Sequence, residues 1–260
     1  MTTRTAPPGR LSLPTSITVG GQLLGAAGLI VQWISAPAMF KGFGFPPGLF
    51  YVLGAAAIVT VNRRSNWAPA AAIALSLWIT VGGLVGGNLA RNLADPRGGV
   101  VAGNVVMLAG LAVSSVAGLI ALVHHHRTRP QPWIAPLGPG NPRRLPATLV
   151  VAGLLLDAVG DAAPEGFHWD GPGPILFLIL AILVALLPGD AMIELSMLLS
   201  LTFVLTAFMN PESSRRLSTP SDVLPFAGTL AQVVGLGLAV LAGAIAVFPR
   251  RARPSVPAPR

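Results

Sequence analysis

The chain has no cysteine, a single lysine (Lys41), a single tyrosine (Tyr51), and charged residues at only 10% of its positions. Each shortage excludes something. Without cysteine there are no disulfides, thiolate metal sites or cysteine nucleophiles. Without charge there is no soluble surface. Soluble domains are about a quarter charged, and a chain that is 53% apolar lacks the polar side chains to cover its outside. Lipid removes that requirement. Catalytic signatures are missing as well: there is no Gly-x-Ser-x-Gly, no phosphate loop and no His-Glu-x-x-His. No residue is therefore assigned a catalytic role, and neither metal nor cofactor is expected. The glycines from Gly20 to Gly28 lie inside an apolar run with no strand before it, which excludes a dinucleotide fingerprint.

What is present is a series of apolar blocks, parted by short stretches that hold the charge, proline and turn residues. Single blocks approach the roughly 20 residues that cross about 30 Å of hydrocarbon as a helix. Barrel strands would be short and alternating. The expected fold class is an all-α membrane protein with eight transmembrane helices, at 17–36, 47–61, 67–89, 100–123, 147–162, 174–187, 191–209 and 223–248. The second, fifth and sixth are short, and short spans lean on their neighbours.

The net charge of +8 rests on arginine. These arginines flank apolar blocks, as orientation signals do, so no nucleic-acid partner is expected. In an eight-span chain Arg4, Arg10, Arg63, Arg64, Arg127, Arg129, Arg143, Arg144, Arg250, Arg251, Arg253 and Arg260 share one side. Lys41, Arg91, Arg97, Arg215 and Arg216 fall on the other, mostly beside Asp95, Glu212 and Asp222. The positive-inside rule makes the richer side cytoplasmic. A multi-pass plasma-membrane protein with both termini in the cytoplasm follows. The first block, with Ala36-Pro37-Ala38 behind it, superficially resembles a secretory signal. Its apolar run is longer than a signal core and Pro37 sits badly in a cleavage site, so it is expected to be a retained span.

Sliding the chain against itself by about 125 residues exposes an internal repeat. Ala27-Gly28-Leu29 falls on Ala152-Gly153-Leu154, Pro47-Gly48 on Pro172-Gly173, and Arg91 on Arg216. Ala102-Gly103, Gly110-Leu111 and Ala117-Gly118 fall on Ala227-Gly228, Gly235-Leu236 and Ala242-Gly243. Four spans is an even number, so both halves enter the membrane the same way. The expectation is two parallel four-helix repeats related by an axis along the membrane normal. The parts are a cytoplasmic tail (1–15), a first repeat (16–123), a basic proline-rich cytoplasmic linker (124–145), a second repeat (146–248) and a cytoplasmic tail (249–260). In each last span the glycines Gly103, Gly110 and Gly118, and again Gly228, Gly235 and Gly243, share one helical stripe. Small residues on one stripe let two helices approach closely in lipid.

The half-unit combines a Gly-Leu-rich first span, Phe43-x-Phe45-Pro46-Pro47-Gly48 in an outer loop, and Arg63-Arg64 before Trp67. Asp95-Pro96 and the glycine-spaced last span complete it. It resembles small four-helix membrane proteins of actinobacteria, here in tandem. The second half departs from that pattern, lacking the double arginine and the Asp-Pro, and the resemblance implies no activity.

Among the polar residues inside spans, Asp157 is the first candidate, because an ionisable group in hydrocarbon is expensive and usually faces the bundle interior. Asp161 lies one turn on, on the same face. The repeat register sets Gln32 opposite Asp157. Two arrangements are open: a buried proton or cation site, or two acids wet at the outer end of a short span, and the second asks less of the fold. If Asp157 is buried, Asp157→Leu is expected to strand a hydrogen-bond partner. His124, His125 and His126 point in three directions on a helix, which argues for a helix-end cation role and not a metal site. Glu165, His168, Trp169 and Asp170 form an aromatic and acidic outer loop, of the kind that anchors at a membrane interface. Arg91 and Arg216, matched in the repeat, are expected to pair with Asp95 or Glu212, as exposed pairs that contribute little. The leading functional expectation is a non-catalytic protein that packs in the lipid bilayer with itself or another membrane protein. A small-solute or ion permease using Asp157 comes second, and a membrane enzyme third.

Overall fold

A computed structural model describes residues 11–40, 44–63, 65–132, 134, 144–165, 167 and 172–251. The chain divides into two compact units, Met1–Gln131 and Pro132–Arg260. Unit 1 holds α1 (Leu13–Ser35), a 3-10 turn (Pro37–Phe40), α2 (Gly48–Val61), α3 (Ala68–Val85), α4 (Asn88–Leu93) and α5 (Gly98–Thr128). Unit 2 holds α6 (Arg144–Ala162), a 3-10 turn (Ala163–Glu165), α7 (Pro172–Leu186), α8 (Ala191–Met209), α9 (Pro211–Leu217) and α10 (Val223–Arg251). Every regular element among the described residues is helical. Helices α1, α3, α5, α6, α8 and the Val223–Val247 part of α10 are long and apolar enough to cross a membrane. Helices α2 and α7 are apolar but shorter, at 14 and 15 residues. The chain is thus an all-helical, multi-pass membrane protein with six candidate spans.

Local chemistry places the helix ends. Ser12 caps α1, its side chain accepting from Thr15 N, with Pro14 in the first turn where a missing N–H does no harm. Pro37 then disfavours helical geometry at Ala36 and stops it. The apolar block at 67–89 is not one helix: α3 ends at Val85, and Gly87 takes a left-handed φ of 68° before the separate α4 begins. A side chain would resist that conformation, and glycine does not. The fifth block is longer than expected, because α6 begins at Arg144 and runs 19 residues. Likewise α5 continues through His124–Thr128, so the basic connection starts later than the apolar pattern suggested. Residues 1–10 and 252–260 of the tails, Lys41, Arg64, residues 133 and 135–143 of the linker, and His168, Trp169 and Asp170 of the outer loop lie outside the described residues.

On α1 and α5 small and polar residues take many of the buried positions, beside larger ones such as Leu29, Met107 and Leu111. The inward stripe of α1 is Thr15, Thr18, Gly21, Gln22, Gly25, Ala26, Gly28, Leu29 and Gln32, whereas Leu13, Ile17, Leu23, Leu24, Ile30, Val31 and Ile34 face outward. On α5, Gly103, Asn104, Gly110, Ser114 and Ala117 are buried, and Val105, Val113, Val116, Leu119 and Ile120 are exposed. Large aliphatic side chains outside and small or polar ones inside suit hydrocarbon as the solvent, where burying Leu gains little and close helix contact gains more.

Within each unit the first and last helices meet backbone to backbone. In unit 1 a methyl group on Gly21 would come within 2.7 Å of Gly110 O, and one on Gly103 within 2.7 Å of Gly28 O. In unit 2 a methyl on Gly153 would come within 2.5 Å of Gly235 O, and one on Gly160 within 2.6 Å of Gly228 O. The third glycine of each stripe serves another neighbour: Gly118 lies against Ile73 of α3, and Gly243 against Met197 of α8. Gly28→Ala and Gly110→Ala should therefore each cost about 1–3 kcal/mol through overpacking and lower the thermal midpoint in detergent. Gly20→Ala, with nothing within 4 Å, should leave the midpoint unchanged or slightly raised.

Candidate functional site

Unit 1 uses buried polar side chains to link helices. Gln22, fully buried on α1, has Nε2 within 2.9 Å of Ser76 Oγ and 3.2 Å of Ala72 O on α3, and 2.8 Å from Ser114 Oγ on α5. One amide thus ties three helices together. Gln32 is also buried, with Nε2 at 3.9 Å from Met107 Sδ of α5, and Asn104 donates to Val100 O on its own helix at 2.9 Å. Where α1 starts and α5 ends, Ser12 Oγ and Thr15 Oγ1 each lie 3.4 Å from His125 Nε2. His126 there stacks edge-on with Trp67 at 4.8 Å, and Asn66 donates to Arg129 O. The consecutive histidines thus serve different neighbours at the helix end.

Unit 2 contains a different arrangement. Asp157 of α6 is fully buried, and neither carboxyl oxygen has a hydrogen-bond partner. It sits at the glycine crossing, between Gly153 and Gly160, with its backbone N 2.7 Å from where a methyl on Gly235 would be. The expectation that both acids are wet is overturned for Asp157. Asp161, one turn on, is half-buried, and its Oδ1 accepts from Gln232 Nε2 of α10 at 3.1 Å. Its Oδ2 lies against Gly173 at the start of α7.

The uniform repeat register that set Gln32 against Asp157 is not the packing register. In unit 1, Gly25 N faces Gly110 and Gln32 Cγ faces Gly103; in unit 2, Asp157 N faces Gly235 and Pro164 Cδ faces Gly228. Leu29 lies against Gly48 where Asp161 lies against Gly173. In packing terms Asp157 therefore stands where unit 1 has Gly25, because α6 meets its partner two turns further along than an unbroken alignment implies. In unit 1 a methyl on Gly25 would lie 3.4 Å from Leu111 Cδ2, and the matching Leu236 of unit 2 is likewise buried. The buried oxygens of Asp157 also leave no partner for Asp157→Leu to strand.

Sequence reasoning singled out Gly103, Gly110, Gly228 and Gly235 but not the residues they meet, Gly21, Gly28, Gly153 and Gly160. It also passed over Gln22 and the buried Glu194 in the first turn of α8. The signal for Gln22 was its spacing from Thr18, Gly25 and Leu29, which together mark one face. Outside the spans, the expected pair of Arg216 with Glu212 forms, and the one expected of Arg91 does not. Arg97, not Arg91, holds Asp95, at 2.7 Å, while Glu212 pairs with Arg215 at 2.7 Å and Arg216 at 3.0 Å. No family model, curated protein or solved structure matches the chain.

Two outcomes follow for the buried groups. Gln22→Leu should cost about 1 kcal/mol, the usual scale for an interhelical hydrogen bond in lipid, and lower the unfolding midpoint in detergent. Asp157→Asn should leave that midpoint unchanged or raise it, since no partner is lost; a clear fall would reveal a stabilising contact to the carboxyl.

A third outcome concerns the exposed pairs. Hydrogen bonds from Arg97 hold Asp95 at about 2, and those from Arg215 and Arg216 hold Glu212 at about 2. Both values lie below the ordinary carboxylate range, so the pairs contribute above about pH 4 and lose that contribution as pH falls through about 2. The contribution is small because the groups are exposed. Arg97→Gln should return Asp95 to the ordinary range, read from the pH dependence of its carboxyl carbon shift.

Proposed function

We propose that the chain is a non-catalytic, multi-pass plasma-membrane protein whose role is to pack in the bilayer with itself or with another membrane protein. The observation that carries this reading is the small-residue helix pairing with its large aliphatic side chains turned outward. Such helices associate through close backbone approach, not through apolar attraction. Gly20 on α1 and Gly237 on α10 have nothing within 4 Å, so each unit retains a small-residue point at which a further helix fits.

In this reading the short α2 and α7 also cross, making eight spans in two parallel four-helix repeats. Both termini and the linker are cytoplasmic. The arginine distribution supports that orientation, and the like-for-like pairing of first and last helices supports duplication, with α6 displaced along its partner by two turns. Reporter fusions after Arg64, Arg129 and Arg260 should read cytoplasmic and fusions within 163–171 external; an external C-terminus would end the eight-span arrangement. The packing role is tested by native mass spectrometry after extraction in mild detergent. A defined self-assembly or a stoichiometric membrane partner is the expected result, and a lone monomer would count against it.

A further inference from the structure

Asp157 does nothing for the fold that the structure can account for. It donates to and accepts from no neighbour, and it stands where the packing of unit 1 uses a glycine. By helix rise it lies about 8 Å in from the end of α6. An unpaired carboxylate charge at that depth would cost many kcal/mol, so the site calls for a cationic occupant. Few groups compete for that part. Among the described residues no three His, Asp or Glu side chains converge on a metal-sized position. Helix α7 carries no ionisable residue, and α10 carries only Arg250 and Arg251 at its far end. On the remaining neighbours, Glu165 lies in the 3-10 turn after α6, and Glu194 lies in the first turn of α8, toward the opposite end of the unit. Asp161 alone shares the face of Asp157, half-buried and steadied by Gln232.

We infer that Asp157 is a proton-binding carboxyl embedded in the membrane, reached from the end of α6 through Asp161. A hydronium ion at the end of α6 loses one O–H bond, leaving water, as an O–H bond forms on the Asp161 carboxylate. That bond breaks as a new O–H forms on Asp157 across the one turn between them, and the net change is uptake of one proton with no redox step. Gln232 keeps Asp161 at the mouth of this path by holding Oδ1. The tight glycine contacts on either side of Asp157 exclude bulkier cations. The inference does not depend on the packing role and stands or falls separately.

The test uses the full chain reconstituted in phosphatidylethanolamine and phosphatidylglycerol vesicles, with dicyclohexylcarbodiimide as the probe, since this apolar reagent adds to the acid form of carboxyls inside lipid. Peptide mass mapping should find the adduct on Asp157, with a yield that falls as pH is raised and is unchanged by sodium or potassium. Asp161→Asn should keep the adduct on Asp157, and Asp157→Asn should abolish it. The wild-type map is informative even if a variant folds poorly. Absence of an adduct on Asp157 at every pH, or a yield indifferent to pH, would overturn the site. Protection by sodium would overturn the proton assignment in favour of a metal cation.

Discussion

The structure depends on one contact made in each unit: the first and last helices touch through glycine backbones. In water such a pair would be held by burying leucines. In hydrocarbon that drive disappears, and what remains is dispersion between surfaces that fit and hydrogen bonds that have no water to compete with. Glycine at Gly21, Gly28, Gly103 and Gly110, and at Gly153, Gly160, Gly228 and Gly235, removes the side chains that would hold the backbones apart. The remaining helices then pack around a pair already in contact, with Gly118 and Gly243 admitting the third long helix of each unit.

The same constraint decides where polar groups go. A buried side chain at a close crossing has few positions to occupy, and in unit 1 Gln22 uses its place to join three helices. In unit 2 the residue at the corresponding place is apolar, and the polar group appears instead at the crossing itself, as Asp157. The two units thus use similar packing around different chemistry. A polar clasp in one suits a rigid bundle, and an unpartnered carboxyl in the other suits an exchangeable occupant.

Much of this was legible in the order of residues. Seven of the eight apolar blocks coincide with a helix, because block length and the prolines and glycines between blocks act locally. The glycine stripes on the last helices were visible for the same reason. Their partners on α1 and α6 were not, because Gly21 and Gly153 lie in runs where alanine, glycine and leucine alternate without marking which face is shared. The block at 67–89 misled for a local reason of another kind: Gly86-Gly87 carries no polar side chain to mark a break, and hydropathy does not register a left-handed φ.

The sequence by itself determined that this chain lives in a membrane, that it is helical, and that small residues on stripes would do the packing. Composition, run length and periodicity suffice for those, since each is a property of one segment against its solvent. Only the tertiary structure decided that Asp157 is buried without a partner and that it matches Gly25 and not Gln32. Depth and register between helices depend on which turns meet. Two turns of sliding along a helix leave its hydrophobic pattern almost unchanged while moving a carboxyl from one environment to another.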